Sequence, residues 1–334
     1  MELNKASIER GKLLIDKSNT TSLQQNMPSV VLLVLNFNGA NLLSICLPSI
    51  VRASKYYRGD ARVVIVDNES TDHSEEFVAL NFPEIEIRHH TNDFLFSFND
   101  IMPDLDDDVA ILMNNDVIVE EQFIEPLVAH FIDREVFAVG PKQLSWRTHE
   151  FQQGGMTGRV KKLYFSQEKL PDTKEPIFSL FVSGCTFAVN IAKFKQLGGF
   201  DALFKPYYFE ETDLCLRAWD RGWKVIYEPR SVIIHKHYGT MMKQIPCRDR
   251  EEIFLRNLII LTSGFPLALW QKSVLFLKWC LTALKRNYIL TNFMQLCSTF
   301  SRLFCLIFAM PRYQYFPEQV SLVGLKLDCD KKTD

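Results

Sequence analysis

The sequence predicts an α/β protein whose core is a mostly parallel, doubly wound sheet, followed by a helical appendage. Apolar runs without polar alternation indicate strands that are covered on both faces. Segments with helical periodicity separate these runs, and strands that alternate with helices form parallel sheets. Polar clusters follow the apolar runs directly, which places them along one edge of such a sheet.

The predicted elements follow in a regular order along the chain. Strands are predicted over residues 30–35, 63–66, 85–87, 109–113, 187–189 and 232–234, and helices begin after residues 39, 73, 91 and 209. Residues 143–179 lose this periodicity, so hairpins and loops are expected there. The two glycines at 198 and 199 predict the end of a further helix.

Length and composition bound the class of protein. The chain has 334 residues, of which 47% are hydrophobic, enough for one large core plus an appendage. Its formal net charge is -2 and no basic stripe crosses residues 1–250, which argues against a nucleic-acid partner. Its eight cysteines include no CxxC pair, so neither a zinc knuckle nor a disulfide framework is expected, and a reducing cytoplasm fits best.

Three segments are predicted: a flexible leader over 1–28, a catalytic domain over 29–248 and a helical, basic and apolar region over 249–334. The leader is polar and lacks the apolar core of a secretion signal, so we expect no export from the cytoplasm.

The last segment is distinguished by its charge. Between residues 253 and 312, seven basic residues and no acidic one stand among large apolar side chains. The apolar runs are too short to cross a bilayer, and helices that lie in an anionic membrane interface combine these residue types. Peripheral attachment to the inner face of the cell membrane is therefore predicted. The alternative is packing on the catalytic core or on a second subunit, as in a homodimer.

Polar side chains follow three of the predicted strands: Asn36, Asp67 and Asp116. In doubly wound sheets, ligands bind beyond these carboxyl ends. No GxGxxG or GxxxxGK[ST] sequence follows the first strand, so a phosphate-bearing ligand would need a cation in place of a glycine-rich loop. A carboxylate in this position suits Mg²⁺ or Mn²⁺, which share oxygen ligands with a diphosphate. Turn formation is the simpler alternative for Asp67 and for Asp116.

Three carboxylates, those of Glu210, Glu211 and Asp213, open a predicted helix. The helix dipole favours acids in a first turn, so a solvated cap is one interpretation. The polar strand ends upstream and His235 downstream favour the other interpretation, a catalytic site. His235 ends a buried strand, where binding a backbone carbonyl is its alternative role.

A set of motifs occurs in a specific order between residues 30 and 238. They are 36–39 (NFNG), 67–72 (DNESTD), Asn92, Asn99, 114–116 (NND), Gly184, 198–201 (GGFD) and 209–219 (FEETDLCLRAW). With these motifs the chain resembles family 2 glycosyltransferases, which have the GT-A fold, and is similar to rhamnosyltransferase-type enzymes of bacterial polysaccharide assembly. The resemblance implies an inverting enzyme of cell-surface polysaccharide synthesis. It would move a sugar from a nucleotide-sugar donor to a hydroxyl of a saccharide or lipid-linked saccharide.

The resemblance also implies roles for single residues. Asp67 would bind the base or ribose of the donor, and Glu211 would be the catalytic base. Asp116 and His235 would hold Mg²⁺ or Mn²⁺. The donor-binding residues would be Asn36, Asn38, Asp67, Asn92, Asn99, Asn114 and Asn115. The acceptor side would include Gly184, Cys185 and Asp213.

The chain departs from the family pattern at several of these positions. Asn114 stands where the family's DxD element usually begins with Asp, and no glycine follows Asn92. Glu211 replaces the Asp of many relatives, which lengthens the side chain by one methylene. Because an error near 1 Å costs about 100-fold in rate, Glu210 is the alternative base. His237 is the alternative metal ligand.

Two other classes of protein stay open. A sugar-phosphate nucleotidyltransferase would show a glycine-rich, basic loop after the first strand, and residues 36–39 have neither feature. A noncatalytic scaffold of a glycan-assembly complex would explain the departures at Asn114 and Glu211. Metal-dependent release of nucleotide from a donor separates an enzyme from a scaffold.

Overall fold

The structure is a computed structural model that describes residues 27–161, 163–236, 246–285, 307–308 and 311–313. The predicted leader, up to residue 26, and His237 therefore lie outside the described residues. Within the described ranges the chain forms twelve strands and eight α-helices.

The strands are β1 (Val30–Asn36), β2 (Ala61–Asp67), β3 (Glu86–His89), β4 (Val109–Asn114), β5 (Val117–Val119), β6 (Val136–Ser145), β7 (Phe151–Gln153), β8 (Met156–Lys161), β9 (Tyr164–Lys169), β10 (Ile177–Phe178), β11 (Thr186–Asn190) and β12 (Lys224–His235). The helices are α1 (Ala40–Tyr56), α2 (Ser74–Asn81), α3 (Phe98–Ile101), α4 (Ile124–Val128), α5 (Ile191–Leu197), α6 (Glu210–Asp220), α7 (Cys247–Ser263) and α8 (Leu269–Lys285). Short 3₁₀ helices cover Phe94–Ser97, Met102–Asp104, Ala129–Ile132 and Ala202–Phe204.

The main sheet is mixed and mostly parallel, in the order β10-β12-β6-β11-β4-β1-β2-β3. Six of these strands (β3, β2, β1, β4, β6 and β12) run in one direction, and β11 lies antiparallel between β4 and β6. The carboxyl ends of β1, β2, β4 and β12 therefore share one edge. The start of β11 reaches the same edge, since Thr186 pairs with Met113.

Both faces of the sheet are covered, as the unbroken apolar runs predict. In β1, Val31 and Leu33 pack into one core with Phe96 and Leu214, while alternate residues such as Leu32 pack into a second core under α1. The side-chain period of two along a strand produces this division. The α/β, doubly wound prediction is confirmed.

In the region from 143 to 179, the local hydrophobic pattern predicts the strand boundaries least well. Its hairpin prediction is confirmed, because β8 and β9 form a separate two-stranded sheet. However, β6 extends as a strand to Ser145, with polar residues at its end, because it pairs there with both β12 and β7. Sheet pairing rather than local propensity sets that boundary.

The described part of the C-terminal region packs on the α/β core. Helix α7 lies against β9 and the 3₁₀ helix Ala202–Phe204, and Phe265, Ile307 and Tyr313 are buried in the larger of the two cores. Helix α8 leaves Leu269, Trp270 and Leu277 exposed. Among the helices that the structure describes, none is long and apolar enough to span a membrane.

Candidate active site

Asn36, the last residue of β1, joins the ends of neighbouring strands. Its side-chain amide donates to Asp67 Oδ1 at 2.9 Å and to Ser70 Oγ at 3.1 Å. Its Oδ1 accepts from Asn115 Nδ2 at 2.7 Å, just beyond the end of β4. Asn36 is fully buried and positions Asp67 and Asn115, and its own contact with a donor stays a prediction.

The turn after β1 is built around Asn38 and Gly39. Asn38 has a φ of 50°, and its side-chain oxygen accepts from the backbone amides of Thr71 and Asp72 at 2.7 and 3.2 Å. A Cβ on Gly39 would lie 2.1 Å from Asn115 Nδ2, so only glycine permits this close approach. Asn38 thus ties the loops after β1 and β2 together, and its contact with a donor stays a prediction.

Asn92 and Asn99 lie in the connection between β3 and β4. Asn99 makes two hydrogen bonds to the backbone of Phe200. Its Nδ2 donates to the Phe200 carbonyl oxygen and its Oδ1 accepts from the Phe200 amide, both at 2.8 Å. The structure therefore gives Asn99 a positioning role. Asn92 is partly exposed, and its Oδ1 accepts at 3.4 Å from the backbone amide of Phe94. It remains a candidate for donor contact.

Asp116 and His235 meet where β5 pairs with the end of β12. His235 Nε2 lies 3.3 Å from Asp116 Oδ1, and both side chains are buried. Apart from His235, no residue that the structure describes is a hydrogen-bond partner of Asp116 Oδ1. A buried carboxylate beside an imidazole can share a divalent cation with it, so this pair fits the predicted Mg²⁺ or Mn²⁺.

The protein alone does not supply a full coordination shell at this position. Across the described ranges, no group of three or more His, Cys, Asp or Glu side chains is placed to hold a metal ion. A single carboxylate and an imidazole would leave coordination positions for diphosphate oxygens and water, the usual arrangement for Mg²⁺.

Cys185 and Gln143 extend the Asp116–His235 pair into the sheet. Gln143 Nε2 donates to Cys185 Sγ at 2.7 Å, and the Cys185 thiol also interacts with His235. The backbone oxygen of Cys185 accepts from the amide of Asn114 at 2.9 Å. Cys185, predicted on the acceptor side, thus lies against a predicted metal ligand. The motifs did not indicate Gln143, which reaches the site because β6 lies between β11 and β12.

Glu210 and Glu211 open α6. Burial raises the pKa of Glu211 to about 7. Burial, and then the charge of Glu211, raise the pKa of Glu210 well above its ordinary value. Within the described structure Glu210 Oε2 has no hydrogen-bond donor, and the side chain is only 4% exposed. Burial thus favours the neutral form of Glu210, and the partly exposed Glu211 is the better candidate for a base.

Gly184 lies next to the Glu211 carboxylate. A Cβ on Gly184 would lie 3.6 Å from Glu211 Oε2, so the backbone at 184 borders the carboxylate. The next residue, Cys185, contacts His235. Two consecutive residues therefore connect the candidate base with the candidate metal pair.

Asp213 is fully buried, and both of its carboxylate oxygens have partners. Oδ2 accepts from Arg217 Nε at 2.7 Å, and Oδ1 accepts from Arg312 Nη2 at 3.0 Å and from the Tyr313 hydroxyl at 2.8 Å. The chain's own groups thus occupy both oxygens of the carboxylate, and its predicted place on the acceptor side stays a prediction.

Arg256 and Arg312 belong to the seven cations that were expected to face a membrane. Arg256 donates to the backbone oxygens of Leu203 and Lys205 at 3.0 and 2.8 Å. Arg312 pairs with Asp201 Oδ2 at 2.6 Å. Both guanidinium groups are therefore bound within the protein, and membrane attachment stays a prediction.

Sequence reasoning also missed Asn257 and Tyr313, which contact the segments on either side of Glu211. Neither belongs to a local motif. The available signal was a polar residue inside the apolar run of α7, since a fully buried asparagine must find hydrogen-bond partners.

A mixed sheet with polar strand ends, a carboxylate–histidine pair and two glutamates at one edge defines a GT-A-type α/β protein. The chain belongs to the family described as glycosyltransferase like family 2, whose model matches residues 28–251.

A curated relative is the pre-mycofactocin glycosyltransferase of Mycobacterium tuberculosis, which is 26% identical over 180 residues. The match covers 53% of this chain and 37% of the relative, so the chain spans little more than a third of that protein's length.

Two solved structures share the fold. One is GalNAc-T7 with UDP, GalNAc and Mn²⁺, with a TM-score of 0.58 and 17% identity over 72% of this chain and 48% of that one. The other is the mannosyltransferase PcManGT from Pyrobaculum calidifontis with GDP-Man and Mn²⁺. It has a TM-score of 0.50 and 16% identity over 90% of this chain and 86% of that one.

Proposed function

We propose that this protein is an inverting, metal-dependent glycosyltransferase that uses a nucleotide-sugar donor. The observation that carries the proposal is the pair of consecutive residues Gly184 and Cys185. Gly184 borders the Glu211 carboxylate, and Cys185 contacts His235 of the Asp116–His235 pair. A base for an acceptor and a cation site for a leaving group are thereby placed on two sides of one short segment.

The chemistry of glycosyl transfer requires both parts. A divalent ion at Asp116 and His235 would neutralise charge on the departing nucleoside diphosphate. Glu211, with its pKa near 7, accepts the proton of the attacking hydroxyl, a role worth about 10² to 10⁴-fold in rate. Attack from the side opposite the leaving group inverts the anomeric carbon in one step, so no carboxylate nucleophile is needed.

The donor half of the site would lie at the ends of β1, β2 and β4. Asp67 is the candidate partner of the base or ribose, and Asn38, Asn92, Asn114 and Asn115 are the candidates for further contacts. Asp67 is held in place from two sides, by Asn36 and by the backbone amide of Ser70 at 2.9 Å. A carboxylate that is fixed before the donor arrives loses little conformational entropy on binding.

The acceptor and pathway rest on the sequence motifs. The proposed acceptor is a saccharide or lipid-linked saccharide of cell-surface polysaccharide synthesis, and the rhamnosyltransferase-like subtype belongs to the same proposal. The curated relative and the two solved structures are named for different glycosyl transfers. Family membership therefore leaves the sugar to be determined by assay.

Peripheral attachment to an anionic membrane would bring a lipid-linked acceptor to the site. In α8, Leu269 and Trp270 are 69% and 65% exposed. Leu277, seven residues after Trp270, is exposed on the same side of the helix, and its neighbour Lys278 is exposed too. Interfacial helices combine such apolar and basic side chains. The proposed occupant of this face is an anionic lipid surface on the cytoplasmic side; a second subunit is the alternative outcome.

The test is a donor screen on the full chain. UDP, GDP and dTDP sugars are added with Mn²⁺, with Mg²⁺ or with chelator, and both thermal stability and nucleotide release are measured. A donor at 100 times its dissociation constant should stabilise the fold by about 2.7 kcal/mol. Metal-dependent release of nucleotide from one donor supports the proposal.

Two results of this screen would decide for another function. Donor binding without nucleotide release, with saccharide acceptors present, would indicate the noncatalytic scaffold. Release of pyrophosphate from a nucleoside triphosphate and a sugar phosphate would indicate a nucleotidyltransferase.

A further inference from the structure

The backbone just before Glu211 has an uncommon conformation. Tyr208 and Phe209, the last two residues before α6, have φ values of 78° and 72°. Residues with a Cβ rarely occupy this left-handed region, and aromatic residues have no side-chain group that compensates for it. The entry into the helix that carries Glu211 must therefore be held by contacts from elsewhere in the protein.

Asn257, in the middle of α7, supplies contacts of this kind. Its Nδ2 donates to the backbone oxygens of Phe204, Tyr207 and Tyr208 at 2.7, 2.8 and 3.1 Å. The residue is fully buried, so water cannot replace these bonds. One side chain of the C-terminal region thus fixes the carbonyl groups of the segment that leads into α6.

Arg256, the neighbour of Asn257, continues the same attachment. Its guanidinium donates to the backbone oxygens of Leu203 and Lys205 and to Asn257 Oδ1. The bond to Oδ1 also fixes the orientation of the Asn257 amide, because it leaves Nδ2 to face the three carbonyl groups.

The far side of Glu211 is held from a second direction. Arg312 Nη2 and the Tyr313 hydroxyl both donate to Asp213 Oδ1, two residues after Glu211. The backbone amides of Arg312 and Tyr313 in turn donate to the oxygen of Gly264, which follows α7. The segment 311–313 is therefore attached to the C-terminal region and bound to the first turn of α6.

We propose that the C-terminal region is a brace that sets the position of the Glu211 carboxylate, with Asn257, Arg312 and Tyr313 as positioning residues. This inference rests on the proposed function, in which Glu211 is the base. All three positioning residues lie beyond residue 251, where the family match ends. The brace therefore lies outside the matched domain.

The extra methylene of Glu211 gives the brace a physical purpose. A longer side chain reaches further, so its carboxylate meets the acceptor hydroxyl only if the helix start is displaced or fixed accordingly. A fixed helix start also limits the rotamers through which the longer side chain can move. In this view α6 is held from both sides so that a glutamate at position 211 can act as the base.

The test uses two variants of the full chain and one matched control. Tyr313→Phe removes a single hydroxyl from Asp213, and Asn257→Ala removes the three contacts to carbonyl groups. Arg248→Ala, also in α7, removes the ion pair with Glu252 from a side chain that is 64% exposed, and it is the control. The measurements are kcat and KM for nucleotide release from the active donor with Mn²⁺, across pH, at a temperature where each variant is folded.

We expect kcat to fall by about 10 to 100-fold in both variants, with KM for the donor unchanged within about twofold, because the donor contacts are not on α6. The pH at which kcat reaches half its maximum should also shift, since the surroundings of Glu211 change. The control should match the wild type. A kcat that merely follows the folded fraction, with an unshifted pH profile, would overturn the proposal.

A measurement that does not depend on enzyme activity separates this inference from the proposed function. Amide hydrogen exchange at residues 208–213 should be faster in Tyr313→Phe than in wild type and unchanged in Arg248→Ala. Unchanged exchange in Tyr313→Phe overturns the brace even if the wild type is an active transferase. Faster exchange in a wild-type background that releases no nucleotide supports the brace and refutes the assigned chemistry.

Discussion

The two halves of the candidate site are built differently. On the donor side, Asn36 bonds Asp67, 31 residues away, where adjacent parallel strands end side by side. On the base side, Asp213 bonds Tyr313, 100 residues away, and the attachment passes through a region beyond the matched family domain. Sheet register positions the donor side, whereas distant side chains position the base side.

This difference predicts different consequences of mutation. The donor side depends on backbone pairing, which many hydrogen bonds share, so a single side-chain change there should alter binding with little effect on the fold. The base side depends on a few buried polar contacts, each costly to leave unsatisfied. Changes far from Glu211 in sequence should therefore affect turnover more than donor binding.

The largest effect is expected from Glu211→Gln, which removes the base but keeps its size. Glycosyl transfer should fall by about 10² to 10⁴-fold, while donor affinity measured by calorimetry with Mn²⁺ stays close to wild type. Glu210→Gln is the matched control, and it should retain activity because Glu210 is buried and its neutral form is favoured there. A dead Glu210→Gln with an active Glu211→Gln would move the base by one residue.

On the donor side, Asp116→Ala tests the cation site. Metal-dependent donor affinity should fall by about 100-fold, because the charge that holds the ion beside the diphosphate is lost. Asp106→Ala, an exposed carboxylate before β4, should bind as wild type does. Undiminished Mn²⁺-dependent binding by Asp116→Ala, with an unchanged melting temperature, would refute the assignment of the metal.

The pH dependence of turnover tests the base side without mutation. Glu211 must be deprotonated to act, and burial raises its pKa to about 7, so activity is lost as pH falls through 7. Below that value kcat should fall about tenfold per pH unit. Donor affinity, measured in parallel, should not fall with pH in the same way. A kcat that stays level down to about pH 5 would exclude a base with a raised pKa.

The smallest effect is expected at α8, which lies outside both halves of the site. Trp270→Glu should weaken cosedimentation with anionic liposomes by about tenfold, the value of one large apolar side chain that no longer inserts. Ile132→Glu is the control, since Ile132 is 89% exposed on a different part of the surface. Wild-type protein that ignores liposomes and sediments as a dimer would assign this face to a subunit interface.

The sequence alone determined the parallel part of the fold and the edge where the site lies. Unbroken apolar runs such as 30–35 specify strands buried on both faces, and the polar residue after each run must emerge where the strand ends. The positions of Asn36, Asp67 and Asp116 follow from this local periodicity. The first turn of α6 was also evident, because acids at a helix start carry a local signal.

Only the tertiary structure decided which of these polar residues face a ligand and which hold the protein together. Asn36, Asn99 and Asp213 carry motif signals like those of their neighbours, yet the structure buries them or pairs them with the chain itself.

The C-terminal region shows the physical reason. Arg256 and Arg312 carry the same sequence signal as the other cations of the region, because a sequence displays charge but not its partner. Arg312 is bound to Asp201 and Asp213 across about a hundred residues of chain, a contact that no local pattern encodes. Long-range pairing, burial and the raised pKa of Glu211 all depend on which distant segments come into contact, and these contacts exist only in the folded chain.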